Sequence, residues 1–156
     1  MQATGLLSGQ RHWVTNTANL AALIYTKLHS DKSTHPKGSH VNWVGFYFVD
    51  PSDSKKLILG PFQGKPACTE IRIGRGVCGK CFADRSTVLV PNVHEFEGHI
   101  ACDAASKSEL VIPLIHPDGR FLGVLDLDST VHEGFNDIDT AALEYIVKIL
   151  VDSCDF

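Results

Sequence analysis

Long hydrophobic runs are missing from this sequence. No stretch approaches the ~20 apolar residues of a membrane-spanning helix, and the first residues, MQATGLLSGQRH, lack the basic and apolar regions of a signal peptide. Asn-X-Ser/Thr glycosylation sites are also absent. These absences argue against membrane and secreted proteins, and they predict a cytoplasmic protein that does not bind a membrane.

Cysteine and basic charge are both scarce. Cysteine accounts for 5 of the 156 residues, an odd number and far below the density of disulfide-stabilised secreted domains. A chain of 17.0 kDa buries roughly 69% of its unfolded surface, so its core needs no disulfide or structural metal. The net charge is −4 and Lys55-Lys56 is the only adjacent basic pair, so no nucleic-acid partner is expected. One domain spanning residues 1–156 is expected.

Hydrophobic periodicity predicts helices at both ends of the chain and strands between them. Apolar residues recur at helical spacing over residues 8–29 and 138–150, with Asn136 as the N-cap of the second helix. A further helix is predicted after Gly76. Alternating and β-branched segments predict about six strands, at residues 42–49, 56–59, 69–73, 87–90, 109–115 and 121–128. This order of elements indicates the α+β class.

Residues 74–79, GRGVCG, match the G-x-G-x-x-G pattern of dinucleotide-binding proteins. A dinucleotide site also needs a βαβ unit with an acidic residue ending the next strand, whereas that strand here ends Val90-Pro91-Asn92 and hairpins dominate the remainder. The motif therefore predicts a tight turn into a helix. Backbone N–H groups at such a turn can receive an anion, including an amino-acid carboxylate.

Cys78, Cys81, His94 and His99 have the spacing of a Cys2His2 zinc finger. A zinc finger carries both histidines on one helix, but a proline at 91 and a glycine at 98 interrupt this segment. The simpler interpretation is that both histidines lie on the surface or form hydrogen bonds in a loop. A zinc domain stays as an alternative, and no metal is expected.

Asp126 and Asp128 share one face of their predicted strand. A four-residue loop at 116–119 would place Glu109 opposite Asp126, and a two-residue loop would place it opposite Asp128. A three-residue loop would turn Glu109 to the other face. Opposed like charges destabilise a sheet, so the three carboxylates form either an exposed acidic face or a functional site. If they are buried, at least one carboxyl pKa is raised and that group can donate a proton near neutral pH.

Cys102 lies seven residues before Glu109. A thiolate beside a carboxylic acid can attack an oxidised substrate while the acid protonates the departing oxygen. The resulting sulfenic acid condenses with a second thiol, for which Cys68, Cys78 and Cys81 are candidates. Spacing alone does not choose among these three, and each is as compatible with packing. Cys154, at the end of the last helix, is expected to be a packing cysteine.

Several segments together resemble the free methionine-(R)-sulfoxide reductases, which are GAF-domain enzymes. The likeness runs from about Ser8 to the final helix and implies a GAF-like α+β domain, with an antiparallel sheet of about six strands flanked by N- and C-terminal helices. The segments are NWVGFY at 42–47, GPFQGK at 60–65 with Ala67-Cys68, GRGVCG at 74–79, and GHIACD at 98–103 continuing to Ser108-Glu109.

The resemblance implies a role for each matching residue. Cys102 is the implied nucleophile, Cys68 the principal resolving thiol and Cys78 a second recycling thiol. The carboxylates that hold and protonate the sulfoxide oxygen would be Glu109, Asp126 and Asp128. The residues implied to contact the substrate are Trp43 and Tyr47, around its methyl group, and Gly76, Val77 and Cys78, at its carboxylate.

The implied activity is reduction of free L-methionine (R)-sulfoxide to methionine, of the kind that counters oxidative stress. A thioredoxin-like donor would regenerate the thiols, and neither metal nor organic cofactor is required. Members of the family often form dimers, and the oligomeric state stays open. Cys81 is outside the family pattern, so it is either an extra redox partner of Cys78 or a chance occurrence. The alternative function is a GAF sensory module that binds a small ligand without turnover.

Overall fold

Four α-helices and six β-strands make up the part of the chain that the structure describes, residues 2–30 and 35–156. Two 3₁₀ turns, Gly38–His40 and Val93–Glu95, are also present. The computed structural model contains, in chain order, α1 (Gln2–Leu7), α2 (Trp13–Ser30), β1 (Val41–Asp50), β2 (Asp53–Gly64), β3 (Glu70–Arg72), α3 (Gly76–Asp84), β4 (Val88–Val90), β5 (Ser108–Ile115), β6 (Phe121–Ser129) and α4 (Asp137–Asp152).

The six strands form an antiparallel sheet in the order β3-β2-β1-β6-β5-β4. Because β3 and β4 lie at opposite edges, α3 crosses one face of the sheet on its way between them. The strands that flank residues 74–79 are therefore not adjacent parallel strands, which excludes the βαβ unit of a dinucleotide site. The predicted α+β class and the six strands are confirmed.

The two faces of the sheet bury different sets of side chains. Leu125 and Leu127 of β6 belong to the core under α1, α2 and α4. Asp126 and Asp128, which alternate with them, face the side covered by α3, where Val111 and Val124 contribute to a second apolar cluster. The alternation predicted from the sequence is confirmed, and it carries the acidic residues to the α3 side.

The first long helix begins later than the sequence pattern predicts. Residues 8–12 are not helical, so the prediction of a helix from residue 8 was wrong, and the short helix α1 was not predicted. Gly9 has φ +75°, a conformation that ends α1 and that glycine adopts at little cost. The carbonyl of Arg11 accepts from the N–H of Asp155 at 3.0 Å, so this segment pairs with the C-terminal residues instead of continuing a helix.

The β5–β6 hairpin combines a three-residue loop with a bulge that the sequence did not predict. The N–H of His116 donates to the carbonyl of Arg120 at 2.9 Å, which closes a three-residue loop. That loop alone would turn Glu109 to the wrong face. A register shift follows, because Ile115 pairs with Phe121 whereas Leu114 pairs with Gly123. This bulge restores the face, and the prediction that a three-residue loop breaks the carboxylate cluster was wrong.

Helix α4 begins as the sequence predicts. The side chain of Asn136 accepts from the N–H groups of Ile138 and Asp139, and the Asp139 carboxylate accepts from the N–H of Asn136 in return. Among the described residues, no helix has the length and hydrophobicity to cross a membrane.

Candidate active site

A small cavity opens between the α3 face of the sheet, the first turn of α3 and the loop that carries Cys102. Its volume is about 30 Å³, room for roughly two water molecules. Arg75, Ile100 and Cys102 are exposed at its mouth, whereas Glu109 and Asp126 are buried at its base. The residues around it are Trp43, Tyr47, Ala67, Ile71, Arg75, Gly76, Val77, Cys78, His99, Ile100, Cys102, Asp103, Ser106, Glu109, Asp126 and Asp128.

Three carboxylates meet at the base of this cavity. Glu109 lies directly opposite Asp128 across β5 and β6, while Asp126 pairs with Val111. Burial, followed by the neighbouring charge of Asp128, raises the pKa of Glu109 well above its ordinary value. Burial and the charges of the other two carboxylates likewise raise the pKa of Asp126. The pKa of Asp128, which is partly buried, rises to about 6, mainly through desolvation. The cluster therefore holds protons to higher pH than isolated carboxyl groups do.

Replacing Asp128 by Asn should stabilise the protein at neutral pH. A carboxyl whose pKa is raised on folding binds more protons in the folded state, so its presence lowers stability as pH rises from about 4 to about 6 and above. We expect Asp128→Asn to raise Tm by about 2–8 °C at pH 7.5 and to change it little at pH 4. Thermal unfolding across this pH range measures the difference. A Tm difference that does not grow with pH contradicts the account.

Two aromatic residues of β1 form one side of the cavity. The ring centroids of Trp43 and Tyr47 lie 5.7 Å apart in a stacked arrangement, and Phe62 stacks on the other side of Trp43 at 5.3 Å. The indole N–H of Trp43 is buried without a hydrogen-bond partner. The Tyr47 hydroxyl donates to the carbonyl oxygen of Cys68 at 3.1 Å, so this aromatic surface also holds the segment that carries one of the candidate thiols.

Cys68 and Cys102 form a disulfide across the mouth of the cavity. Their Cα atoms lie 5.4 Å apart although 34 positions separate them in the chain. Cys102 is exposed and Cys68 is half-buried, so thiols from outside the protein can reach this bond. The structure thus joins two of the three thiols for which the family resemblance implies redox roles, and the third, Cys78, lines the same cavity.

The remaining cysteines are free and buried. Cys78, in the first turn of α3, lies with its Sγ 4.0 Å from Oε1 of Glu109. Burial raises the pKa of Cys78 well above its ordinary value and that of Cys81 to about 12. Cys81 is one turn further along α3 and packs in the apolar cluster. Cys154 packs on the opposite side of the sheet, where the Asn16 amide donates to its Sγ at 3.3 Å.

The turn of residues 74–79 places the start of α3 at the cavity. Gly76 has φ +63°, which favours glycine, and Arg75 before it is extended. Gly76, Val77 and Cys78 all line the cavity, and the first N–H groups of a helix have no partner within it. The predicted turn into a helix is confirmed.

The side chain of Asn42 forms two hydrogen bonds that hold the Cys102 loop against the sheet. Its Nδ2 donates to Oδ2 of Asp103 and to Oγ of Ser106, each at 3.1 Å. A hydrogen bond from the buried Ser106 hydroxyl in turn lowers the pKa of Asp128, opposing the effect of desolvation. One amide therefore links the position of the thiol at 102 to the carboxylate cluster.

Replacing Asn42 by Ala should weaken the Cys68–Cys102 disulfide. Two hydrogen bonds that order the loop are lost, each contributing about 0.5–1.5 kcal/mol. We expect the equilibrium constant for disulfide formation, measured in glutathione buffers, to fall about 10-fold. Asn92→Ala is the control, because Asn92 makes hydrogen bonds to a different turn. Equal constants for Asn42→Ala and the unmodified protein would argue against this role.

His99 also lines the cavity, a position that the sequence pattern did not predict. Its Nε2 lies 3.4 Å from Oε2 of Glu109, and desolvation lowers its pKa. Sequence spacing suggested it as a zinc ligand or a loop histidine, while Asn42 and Ser106 carried no signal of a role here.

The four residues with zinc-finger spacing do not come together as a Cys2His2 site. Among the described residues, the group with ligand atoms close enough to share an ion consists of Cys78, Glu109 and Asp126.

Comparisons with known proteins agree on the fold and on a family. Residues 36–151 match the GAF domain family. Free methionine-R-sulfoxide reductase of Saccharomyces cerevisiae is 45% identical over 97% of this chain and 81% of its own, and the Escherichia coli protein of the same name is 43% identical over 93% and 79%. A crystal structure of free methionine-R-sulfoxide reductase from Neisseria meningitidis with its substrate is 40% identical, covers 97% of this chain and 83% of that one, and has a TM-score of 0.85.

Proposed function

The chain belongs to the free methionine-R-sulfoxide reductases of the GAF domain family, and we propose that it reduces free L-methionine (R)-sulfoxide to methionine through a relay of thiols. It is an oxidoreductase. The observation that carries the proposal is the meeting of the Cys68–Cys102 disulfide and three carboxylates with raised pKa values at one cavity. We further propose that residues 1–156 act as one catalytic domain.

The carboxylates are assigned to the sulfoxide oxygen. Oδ1 of Asp126 is buried without a hydrogen-bond partner, which costs free energy unless a ligand supplies one. A sulfoxide oxygen carries partial negative charge and accepts hydrogen bonds, so it binds best to carboxyl groups that retain a proton. The raised pKa values of Glu109 and Asp126 favour that state.

The other walls suit the remaining parts of methionine sulfoxide. Trp43 and Tyr47 present apolar ring surface to the methyl group. The amino-acid carboxylate is assigned to the first turn of α3, at Gly76, Val77 and Cys78, where backbone N–H groups and the positive end of the helix favour an anion.

The proposed chemistry proceeds in two steps that balance. The Cys102 thiolate attacks the sulfoxide sulfur, a carboxyl group protonates the oxygen, and the oxygen passes to Cys102 as a sulfenic acid while methionine leaves. The Cys68 thiol then attacks the sulfenic sulfur, which releases water and forms the disulfide. The substrate gains two electrons and the pair of cysteines loses two.

Regeneration requires an external dithiol of the thioredoxin type. The exposure of Cys102 and partial exposure of Cys68 allow a donor thiolate to attack the disulfide directly. Cys78 is assigned as a second recycling thiol, which would exchange with the Cys68–Cys102 disulfide. Because Cys78 is buried, this thiol–disulfide exchange requires the site to open.

The size of the cavity limits substrate binding in the disulfide form. A cavity of about 30 Å³ is too small for an amino acid, so the disulfide form must open or be reduced before the next substrate binds.

Coupled turnover tests this function. We expect methionine production from free L-methionine (R)-sulfoxide with thioredoxin, thioredoxin reductase and NADPH. The (S) epimer and a blocked peptide containing methionine sulfoxide should react at least about 100-fold more slowly, since binding energy from the free amino and carboxyl groups is lost for the peptide. A protein that binds the sulfoxide but produces no methionine would be a sensory module, and the proposed function would be wrong.

A further inference from the structure

Three potential metal ligands converge at the base of the cavity. Sγ of Cys78 and one carboxylate oxygen each from Glu109 and Asp126 lie within 4.8 Å of one another. All three residues are buried, with Glu109 and Asp126 each 6% exposed. Oδ1 of Asp126 has no hydrogen-bond partner. We call Cys78, Glu109 and Asp126 the thiol–carboxylate group.

The chemistry of this group favours Zn²⁺ over other common cations. Mg²⁺ and Ca²⁺ prefer ligand sets made entirely of oxygen, whereas zinc combines thiolate, carboxylate and imidazole in tetrahedral sites. Cys78, Glu109 and Asp126 can supply three ligands of such a site, and a water molecule can supply the fourth. The imidazole of His99 lies beside this group, with its Nε2 3.4 Å from Oε2 of Glu109.

Space and charge also suit an ion. The cavity of about 30 Å³ excludes an amino acid but has room for a metal ion and a water molecule. When Glu109 and Asp126 are deprotonated, their charges and that of Asp128, which lies opposite Glu109, repel one another. A divalent cation compensates that charge.

We propose that the thiol–carboxylate group is an inhibitory Zn²⁺ site. Zinc binding releases the proton of the Cys78 thiol, together with any proton that Glu109 or Asp126 holds, and occupies the carboxylate oxygens. Under the proposed function, on which this step rests, bound zinc competes with the sulfoxide oxygen for Glu109 and Asp126. Removing the metal restores activity because no covalent bond of the protein is broken.

Metal titration of the disulfide form tests binding without reference to turnover. In this form Cys68 and Cys102 are blocked, so the free thiols are Cys78, Cys81 and Cys154. We expect calorimetry with ZnCl₂ to give one equivalent bound, and CoCl₂ to give a thiolate-to-cobalt charge-transfer absorption. Cys78→Ala should lower the affinity at least about 100-fold and abolish that absorption.

Matched variants separate the site from non-specific thiol binding. Cys81→Ala, one turn along the same helix, and Cys154→Ala, across the sheet, should bind zinc as the unmodified protein does. Any of three results overturns the site: no stoichiometric binding, binding unaffected by Cys78→Ala, or loss of binding in Cys81→Ala.

Inhibition is tested with the reduced enzyme, in which zinc should raise the apparent KM for methionine sulfoxide without lowering kcat. Zinc binding by a protein that has no turnover would refute the proposed function and leave the metal site standing.

Discussion

Cys102→Ser abolishes methionine production: we expect the rate to fall by more than about 1000-fold, because no other described thiol lies at the mouth of the cavity with access to the substrate except its partner Cys68. Serine is close in size, and position 102 is exposed in a loop, so the fold should persist. Circular dichroism and thermal unfolding under reducing conditions check the fold, and a coupled assay measures the rate.

Two further cysteine variants make the result specific. Cys154→Ser should retain full activity, since residue 154 lies in the core on the opposite side of the sheet and a hydroxyl can still accept from Asn16. Cys68→Ser should permit one turnover and then accumulate the sulfenic acid, because the other candidate resolving thiol, Cys78, is buried. Dimedone labels this sulfenic acid. Substantial multiple-turnover activity in Cys102→Ser would show that another residue is the nucleophile.

Glu109→Gln and Asp126→Asn slow the chemical step. Each amide can still donate a hydrogen bond to the sulfoxide oxygen but cannot transfer a proton to it. The loss of a general acid costs about 10²–10⁴-fold, so we expect that reduction in the single-turnover rate, with less than about 10-fold change in substrate affinity. Rapid-quench measurement of methionine formation by reduced protein gives both quantities.

The rate of the same chemical step should depend on pH in a definite direction. Burial and the charges of neighbouring carboxylates raise the pKa of Glu109 and of Asp126. The protonated acid therefore persists to higher pH than in an isolated carboxyl group, and it is lost as the pH rises through those raised values. The single-turnover rate of the unmodified protein should therefore fall at alkaline pH, once thiolate formation is complete.

Glu97→Gln is the control for both carboxylate variants. It alters an exposed carboxylate before the Cys102 loop, so the rate and its pH profile should stay normal. Unchanged rates in both Glu109→Gln and Asp126→Asn would contradict the assignment.

Local patterns in the sequence predicted most of the elements that position the site. Alternation along β6 placed Asp126 and Asp128 on one face, and Asn136 marked the start of α4. These features depend on neighbours within a few residues, which is why the sequence alone reveals them. The start of α2 depends instead on pairing of Arg11 with Asp155, 144 residues away.

The details of the site depend on contacts that no local pattern reports. The sequence limited the partner of Glu109 to a few alternatives, but a bulge at Leu114 and Ile115 was needed to place it opposite Asp128. Asn42 and Ser106 meet across 64 positions of the chain, and each resembles an ordinary polar residue of a strand end or loop. The pairing of Cys68 with Cys102 was implied by the family resemblance, since spacing left Cys78 and Cys81 as equal candidates.

The most direct test of the thiol relay is a stoichiometric single turnover. Fully reduced protein is mixed with excess free L-methionine (R)-sulfoxide without any reductant, and methionine is counted while peptide mass spectrometry locates the disulfide. The account predicts about one methionine per chain in the fast phase, matched by one disulfide between Cys68 and Cys102. Methionine formed without that disulfide, or no methionine at all, would contradict it.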